Sequence, residues 1–352
     1  MGRYIIRRLL WLAAVLFVVS LITFGLMHAI PGGPFDREKA LPQPIIDNLN
    51  ERYHLDQPLP VQYLLYVYEV LIPQLSDIPP GISNLDDGLF NVKVGGDLWL
   101  KWMNFGPTFT SRNRTVNDIF RDNLPLSFQL GVMALGLAVL IGLPLGILAA
   151  LRQNSAIDYS AMSFAILGVS VPVIVSGPLL VAIFGVVLRW LPPSGWGAGP
   201  PWTLGLFPSE ISLDYFRYAA LPVFALGIGS AAVIARVSRA SLLQVIREDF
   251  IRTARAKGLV ERLVVTRHAL KNSLIPVVTV LGPLFAALVT GTFVTELIFG
   301  LPGMGKYFVT SITNRDYPVI MGTILLYALF LVVANLVVDL IYAWLDPRIR
   351  YS

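Results

Sequence analysis

The sequence predicts an all-α integral membrane protein with six transmembrane helices and a long extracytoplasmic segment between the first and the second. Three observations carry that prediction. Of 352 residues, 55% are hydrophobic and 14% charged, against about 25% charged in soluble domains, and the mean hydropathy is +0.67. Six runs free of acid and base are long enough, or nearly so, to cross a bilayer. The runs are continuous rather than alternating, which favours helices over barrel strands, because a helix satisfies its own backbone groups in lipid. This composition excludes disordered, collagen-like and disulfide-stapled classes.

A bilayer core about 30 Å thick needs roughly 20 apolar residues at 1.5 Å per residue. The first run, Leu9–Ile30, follows Arg3, Arg7 and Arg8. It exceeds the roughly 7–15 residues of a signal-peptide core and no small-x-small cleavage pattern follows, so it reads as a retained anchor. Next comes Pro31–Asp122, with 8 basic and 12 acidic residues and many Pro, Gly, Asn and Asp. Within it Val61–Leu75 has amphipathic spacing that suits a helix on the membrane surface or a small packed helix, and Gly81–Gly96 reads as turns and loop. The remaining runs are Leu124–Leu151, Tyr159–Leu188, Tyr218–Ala235 (the shortest), Ser273–Thr295 and Tyr317–Val338. Gly142, Gly146, Pro172, Gly177 and Pro178 inside them read as close packing and kinks.

Lysine and arginine near the span ends set the orientation. With the amino terminus inside, 15 of the 27 basic residues fall in inner segments: three before the first span, Arg152, nine from Arg236 to Lys271, then Arg348 and Arg350. Eight of the other 12 lie in the long outer segment, where charge is poor testimony. Both termini are thus expected in the cytoplasm. The chain divides into residues 1–30 (cytoplasmic N-terminus and first span), 31–122 (extracytoplasmic segment) and 123–352 (core, carrying a cytoplasmic loop over 236–272).

That loop is basic, nine positive against three negative residues. Leu243, Ile246, Phe250, Ile251 and Ala254 recur at three- and four-residue intervals, the stripe of an amphipathic helix. Gly258 sits where a left-handed cap would end it, and Leu259–Leu270 starts a second helical pattern. Three physical readings stand side by side. The piece contacts anionic lipid; or it is a solvated connector; or it docks a partner, with small Thr253, Ala254 and Ala256 permitting close approach and Asp249, Arg252 and Arg255 as rim charges.

Arg252-Thr-Ala254, Gly258 and Leu274-Ile-Pro276 resemble the "EAA" loop of ATP-binding-cassette importer permeases. In that family the loop supplies a coupling helix that fits a groove on a cytoplasmic ATPase subunit. Arg252 stands where the family often has Glu, and Thr253 replaces an alanine. Further segments resemble the B-type permease of dipeptide and oligopeptide importers. They are Ile30-Pro-Gly-Gly-Pro34, Leu55-Asp-Gln-Pro-Leu-Pro-Val-Gln-Tyr63, Asn123-Leu-Pro-Leu-Ser127 and Glu248-Asp-Phe-Ile-Arg-Thr-Ala-Arg-Ala-Lys-Gly258. Thr295-Glu-Leu-Ile-Phe-Gly-Leu-Pro-Gly-Met-Gly305, Arg315-Asp-Tyr-Pro318 and Leu345-Asp-Pro-Arg-Ile-Arg-Tyr351 complete the set, which covers nearly the whole chain. Pro73–Lys101 is longer than the usual family loop.

The resemblance implies a plasma (inner) membrane subunit of a bacterium or archaeon, without catalytic, metal or cofactor residues of its own. Its implied partners are a C-type permease in a heterodimer, two cytoplasmic ATPases that bind Mg-ATP, an extracytoplasmic solute-binding protein that delivers peptide, and membrane lipid, with no nucleic acid. It assigns ATPase coupling to Asp249, Arg252, Thr253, Ala254, Arg255 and Gly258, and names no substrate-contacting residue.

Other motifs have ordinary explanations. Gly300-Leu-Pro-Gly-Met-Gly-Lys306 fits the spacing of a phosphate loop, but Tyr307 replaces the magnesium-binding Ser or Thr and no strand precedes it. With no cysteine and three scattered histidines, His28, His54 and His268, thiolate and H-E-x-x-H metal chemistry is excluded. Glu296, and Asp339 with Asn335, read as structurally paired near the span ends. His268 reads as a surface residue and His28 as interfacial. Trp99, Trp102, Trp190, Trp196 and Trp202 read as an interfacial belt, outer-loop Asp86 and Asp87 as solvated, and the Asn113–Thr115 sequon as chance. A self-sufficient secondary transporter would show paired mid-membrane charges or inverted repeats, and a membrane enzyme would group acids, bases or ligands at one face; neither pattern is evident. Nickel complexes, glutathione and oligosaccharides are alternative cargoes of similar permeases.

Overall fold

The computed structural model describes residues 2–30, 32–35, 47–48, 50–51, 53–81, 87–111, 114–200, 202–203 and 205–345. Asp86, Asn113 of the sequon, Arg348, Arg350 and the landmark after Leu345 lie outside them. Two compact units form: one centres on Leu126–Gly303 and takes in the start of the first helix and the chain from Leu329 onward, and the other combines Trp11–Pro125 with Met304–Ala328.

Among the described residues, five helices are long and apolar enough to cross a membrane, and a sixth candidate is bent. α1 spans Gly2–Ala29. α2, Leu59–Leu71, matches most of the amphipathic candidate, its last residues forming strand β1, Gln74–Ser76, instead. α3, Val116–Leu151, begins at a capping box: Thr115 Oγ1 accepts from the Asp118 amide at 3.1 Å, and Asp118 accepts from the Thr115 amide at 2.9 Å, satisfying two amides a helix start leaves orphaned. Ser155 and Ser212 cap α4, Ala156–Ser170, and α6, Leu213–Ile246, each side chain accepting from the amide three residues on.

The third apolar run departs from a single rod. α4 stops at Ser170, and α5, Val173–Val187, leaves at 101°. Pro172 is the cause: it has no amide to donate and forces Val171 into an extended conformation, ψ 108°. The fourth helix extends beyond Tyr218–Ala235 at both ends, because a charge-free run records the thickness of lipid rather than the length of helix. α8 runs Glu261–Val289 and stops short of Thr295. Gly291 adopts φ +111°, and the chain restarts as α9, Phe293–Ile298. α10, Gly305–Thr313, and α11, Tyr317–Leu345, complete the helices.

The Leu126–Gly303 unit is held by small residues. A side chain at Gly142 or Gly146 would run into the backbone of Ala231 or Ala235 on α6, so α3 and α6 pack backbone to backbone, as membrane helices do where dispersion replaces the hydrophobic drive. Ala138, Ala231, Ile234 and Val277 form one buried cluster there. Asp339 meets Arg8 at 2.8 Å, the structural pairing expected of it, and Asn335 faces Gly282.

The other unit holds a three-stranded antiparallel sheet of order β1-β3-β2, with β2 Phe90–Gly95 and β3 Leu98–Trp102. This corrects the reading of Gly81–Gly96 as turns alone. The alternation of Phe90, Val92 and Val94 with Asn91 and Lys93 is the period of a strand, and Gly96 at φ +54° turns the hairpin. Asp87 is not solvated: it is 2% exposed and paired with buried Lys101 at 2.9 Å. A two-residue ladder, β4 Trp202–Thr203 with β5 Phe207–Pro208, lies in the first unit. Trp196 is half-buried against that unit's core, and its indole donates to Gln129 at 3.2 Å.

Candidate functional site

α6 ends at Ile246, and the chain turns through Arg247 and Glu248 into α7, Asp249–Ala256. Leu243 and Ile246 therefore belong to the preceding span and not to the same short helix as Ile251. A shared core unites Leu243, Ile246, Ile251 and Ala254 of the stripe, whereas Phe250 is exposed. Ile251 (0% exposed) and Ala254 (6%) pack with Ala150, Leu242, Val264 and Ala269, so α7 is wedged between the ends of α3, α6 and α8. Burying Ile251 contributes about 2 kcal/mol. Gly258 ends the turn at φ +76°, the left-handed cap its position predicts, and its amide donates to the Arg255 carbonyl at 2.9 Å.

The six residues singled out in the sequence separate into two groups. Asp249, Arg252, Thr253, Arg255 and Gly258 are exposed, while Ala254 is buried. Ala254 thus lets α7 approach its own core rather than a partner; Thr253 and Ala256 are the small residues left on the open face. Arg252 meets Asp249 at 3.3 Å with both side chains largely solvated, a pair of little energetic weight. Arg255 donates twice to Glu261, at 3.0 and 2.7 Å, which ties α7 to the start of α8 and pushes the guanidinium above its ordinary pKa. Thr253 Oγ1 donates to the Asp249 carbonyl at 2.9 Å.

Beside α7 opens a concavity of about 580 Å³ lined by Ala240, Leu243, Gln244, Arg247, Glu248, Asp249 and Arg252. Gln244 and Arg247 lie within the basic loop read from the sequence but escape selection there, because the structure continues α6 to Ile246 and only the turn that follows brings them beside α7. So does the tie behind them: Arg239 Nε and Nη2 donate to Asp158 Oδ1 and Oδ2 at 2.6 and 2.7 Å, locking α6 to α4 in the planar fork that arginine offers a carboxylate. Arg239 is therefore a structural residue of the basic segment. His268 is half-buried, keeping part of its side chain at the surface.

Glu296 is the other buried acid of note, 2% exposed. It accepts from Ser127 Oγ at 2.7 Å and from the Thr292 amide at 3.2 Å. A side chain at Gly303 would collide with its carboxylate. One glycine of the apparent phosphate loop, Gly303, thus packs against a carboxylate, the opposite of an anion cradle. Among the described residues, no cluster of three or more His, Cys, Asp or Glu is placed to hold a metal.

Against known proteins, the model for the binding-protein-dependent transport system inner membrane component matches residues 142–351, and the model for the N-terminal part of such membrane components matches residues 1–78. The dipeptide transport system permease protein of Bacillus subtilis is 41% identical over 99% of this chain and 98% of its own length. The oligopeptide transport system permease proteins of Haemophilus influenzae and Salmonella typhimurium are 39% and 38% identical, each over 100% of both chains. Among solved structures, an inward-facing methionine ABC transporter aligns with a TM-score of 0.48 at 18% identity, over 64% of this chain and 94% of that one.

Proposed function

The chain belongs to the family of binding-protein-dependent transport system inner membrane components, and from that premise we propose that it is the permease subunit of an ATP-driven importer of dipeptides and oligopeptides. The peptide cargo is supported by the names of its full-length relatives. The observation that carries the mechanism is the mounting of α7: one face is sunk among the ends of three spans, and the other carries Arg252, Thr253 and Arg255 into the open.

A partner ATPase that seats on that open face, on the cytoplasmic side, pushes on a helix that cannot move alone. Displacement of α7 passes through Ile251 and Ala254 to α3, α6 and α8, and through Arg239–Asp158 to α4. Mg-ATP is bound and hydrolysed by two such partner subunits, not by this chain. A homologous C-type permease completes the path across the bacterial or archaeal plasma membrane, and an extracytoplasmic solute-binding protein delivers the peptide. Lipid surrounds the spans, and nucleic acid has no part. Shifting the inward–outward equilibrium from 1:99 to 99:1 requires a differential of about 5.5 kcal/mol.

Thr253→Cys in the assembled transporter tests the seat: it crosslinks to an ATPase subunit with a yield that changes on ATP binding. Crosslinking to lipid probes alone overturns the coupling role. Nickel complexes, glutathione or oligosaccharides remain alternative cargoes of the same machine, and the solute that copurifies with the binding protein decides among them.

A further inference from the structure

The stretch from Pro73 to Lys101 plays no part in that transport reading, and it folds into a sheet with two unlike faces. On one face Lys101 is buried against Asp87 and Lys93 lies over the Trp99 ring. On the other, cross-strand pairs Phe90–Trp102 and Val92–Leu100 build an apolar surface that the fold leaves bare. Leu75 is 65% exposed, Phe90 54%, Val92 57%, Leu98 49% and Trp102 43%. A contiguous apolar patch of this kind marks a binding or membrane surface.

Its neighbour identifies the occupant. Tyr63 of α2 meets Ser20 Oγ of α1 at 2.8 Å and sets its ring against Phe17 and Phe24. Ser20 lies nine residues before the end of α1 at Ala29, roughly 13 Å along the helix axis at 1.5 Å per residue. α2 therefore lies against the apolar length of a membrane span. Its outward stripe, Leu64, Tyr68 and Leu71, is exposed at i, i+4 and i+7, the pattern of a helix lying in the interface. Trp102 Nε1 donates to the Leu71 carbonyl at 3.0 Å, so the bare face of the sheet continues from the end of that stripe.

We propose that this sheet face rests on the bilayer, in the headgroup and upper acyl region of the leaflet that holds α2, with Trp102 and Phe90 as its aromatic anchors. The inference needs only that the chain spans a membrane, and stands apart from the peptide assignment.

The chain has no cysteine, so single reporters are clean. Val92→Cys and Lys93→Cys, adjacent residues on opposite faces, are nitroxide-labelled in the full chain in nanodiscs of phosphatidylethanolamine and phosphatidylglycerol. Relaxation by oxygen, which concentrates in lipid, is compared with relaxation by a water-soluble nickel chelate. The oxygen-to-nickel ratio at V92C is expected several-fold above that at K93C and close to that at Leu21→Cys, a lipid-facing position on α1, with Phe90→Cys following V92C. Equal nickel access at positions 92 and 93 overturns the proposal. Protection of V92C that arises only when the solute-binding protein is added also overturns it, and assigns the face to a protein partner.

Discussion

Gly258 shows how much one backbone angle decides. At φ +76° with open space where a side chain would point, Gly258→Ala faces only the left-handed backbone cost, about 1 kcal/mol; it is expected to insert normally, lose a few degrees of thermal stability and keep most ATP-stimulated uptake. Gly258→Pro is different in kind, because proline holds φ near −65° and cannot donate to Arg255. Uptake is expected to be abolished with membrane insertion intact, and normal uptake by this variant would count heavily against coupling through α7. Gly303 makes the complementary case. There the obstacle is space, since a methyl group meets the Glu296 carboxylate. Gly303→Ala is expected to cost about 1–3 kcal/mol through overpacking, read as a lowered melting temperature in detergent. The glycine at 258 was legible from its place after a helical stripe; Gly303 was not, because its partner lies across a turn whose path sequence spacing does not give.

At the scale of elements, the apolar runs located every span, and charge-free length misjudged where several of them end. Tyr159–Leu188 is long enough for one rod, yet Pro172 bends it by 101°; Tyr218–Ala235 is short, yet its helix runs to Ile246 because helical hydrogen bonding continues past the lipid boundary. The tie between α4 and α6 belongs to this scale. Breaking a buried ion pair by removing one partner costs about 3–5 kcal/mol, and Arg239 retains some solvent contact, so Asp158→Ala is expected at the lower end of that range. The double variant Asp158→Ala with Arg239→Met is expected to recover much of the loss, since no charge is left unpaired. Thermal unfolding of the two variants beside the unaltered chain checks the sign; a double variant no better than the single would remove the pair's structural role.

For the whole molecule, the chain belongs to a family of transport components, and its apparent phosphate loop sets Gly303 against the Glu296 carboxylate. The full chain reconstituted alone is therefore expected to show neither ATP hydrolysis nor gradient-driven uptake, and to gain peptide uptake only with the second permease, the ATPases and the binding protein present. Uptake of peptide by the isolated chain down a proton or sodium gradient would replace the coupling mechanism with that of a secondary transporter.

Membrane residence, the number of apolar runs, the position of the α7 loop and the cap at Gly258 were all set by local properties, hydropathy and periodicity, which neighbouring residues carry among themselves. The burial of Ala254, the Arg239–Asp158 fork and the contact of Ser127 with Glu296 came only with tertiary structure. Each depends on residues far apart in the chain, such as Ser127 and Glu296 or Asp158 and Arg239, whose meeting is decided by how helices pack against one another, and that packing has no signature within any single segment.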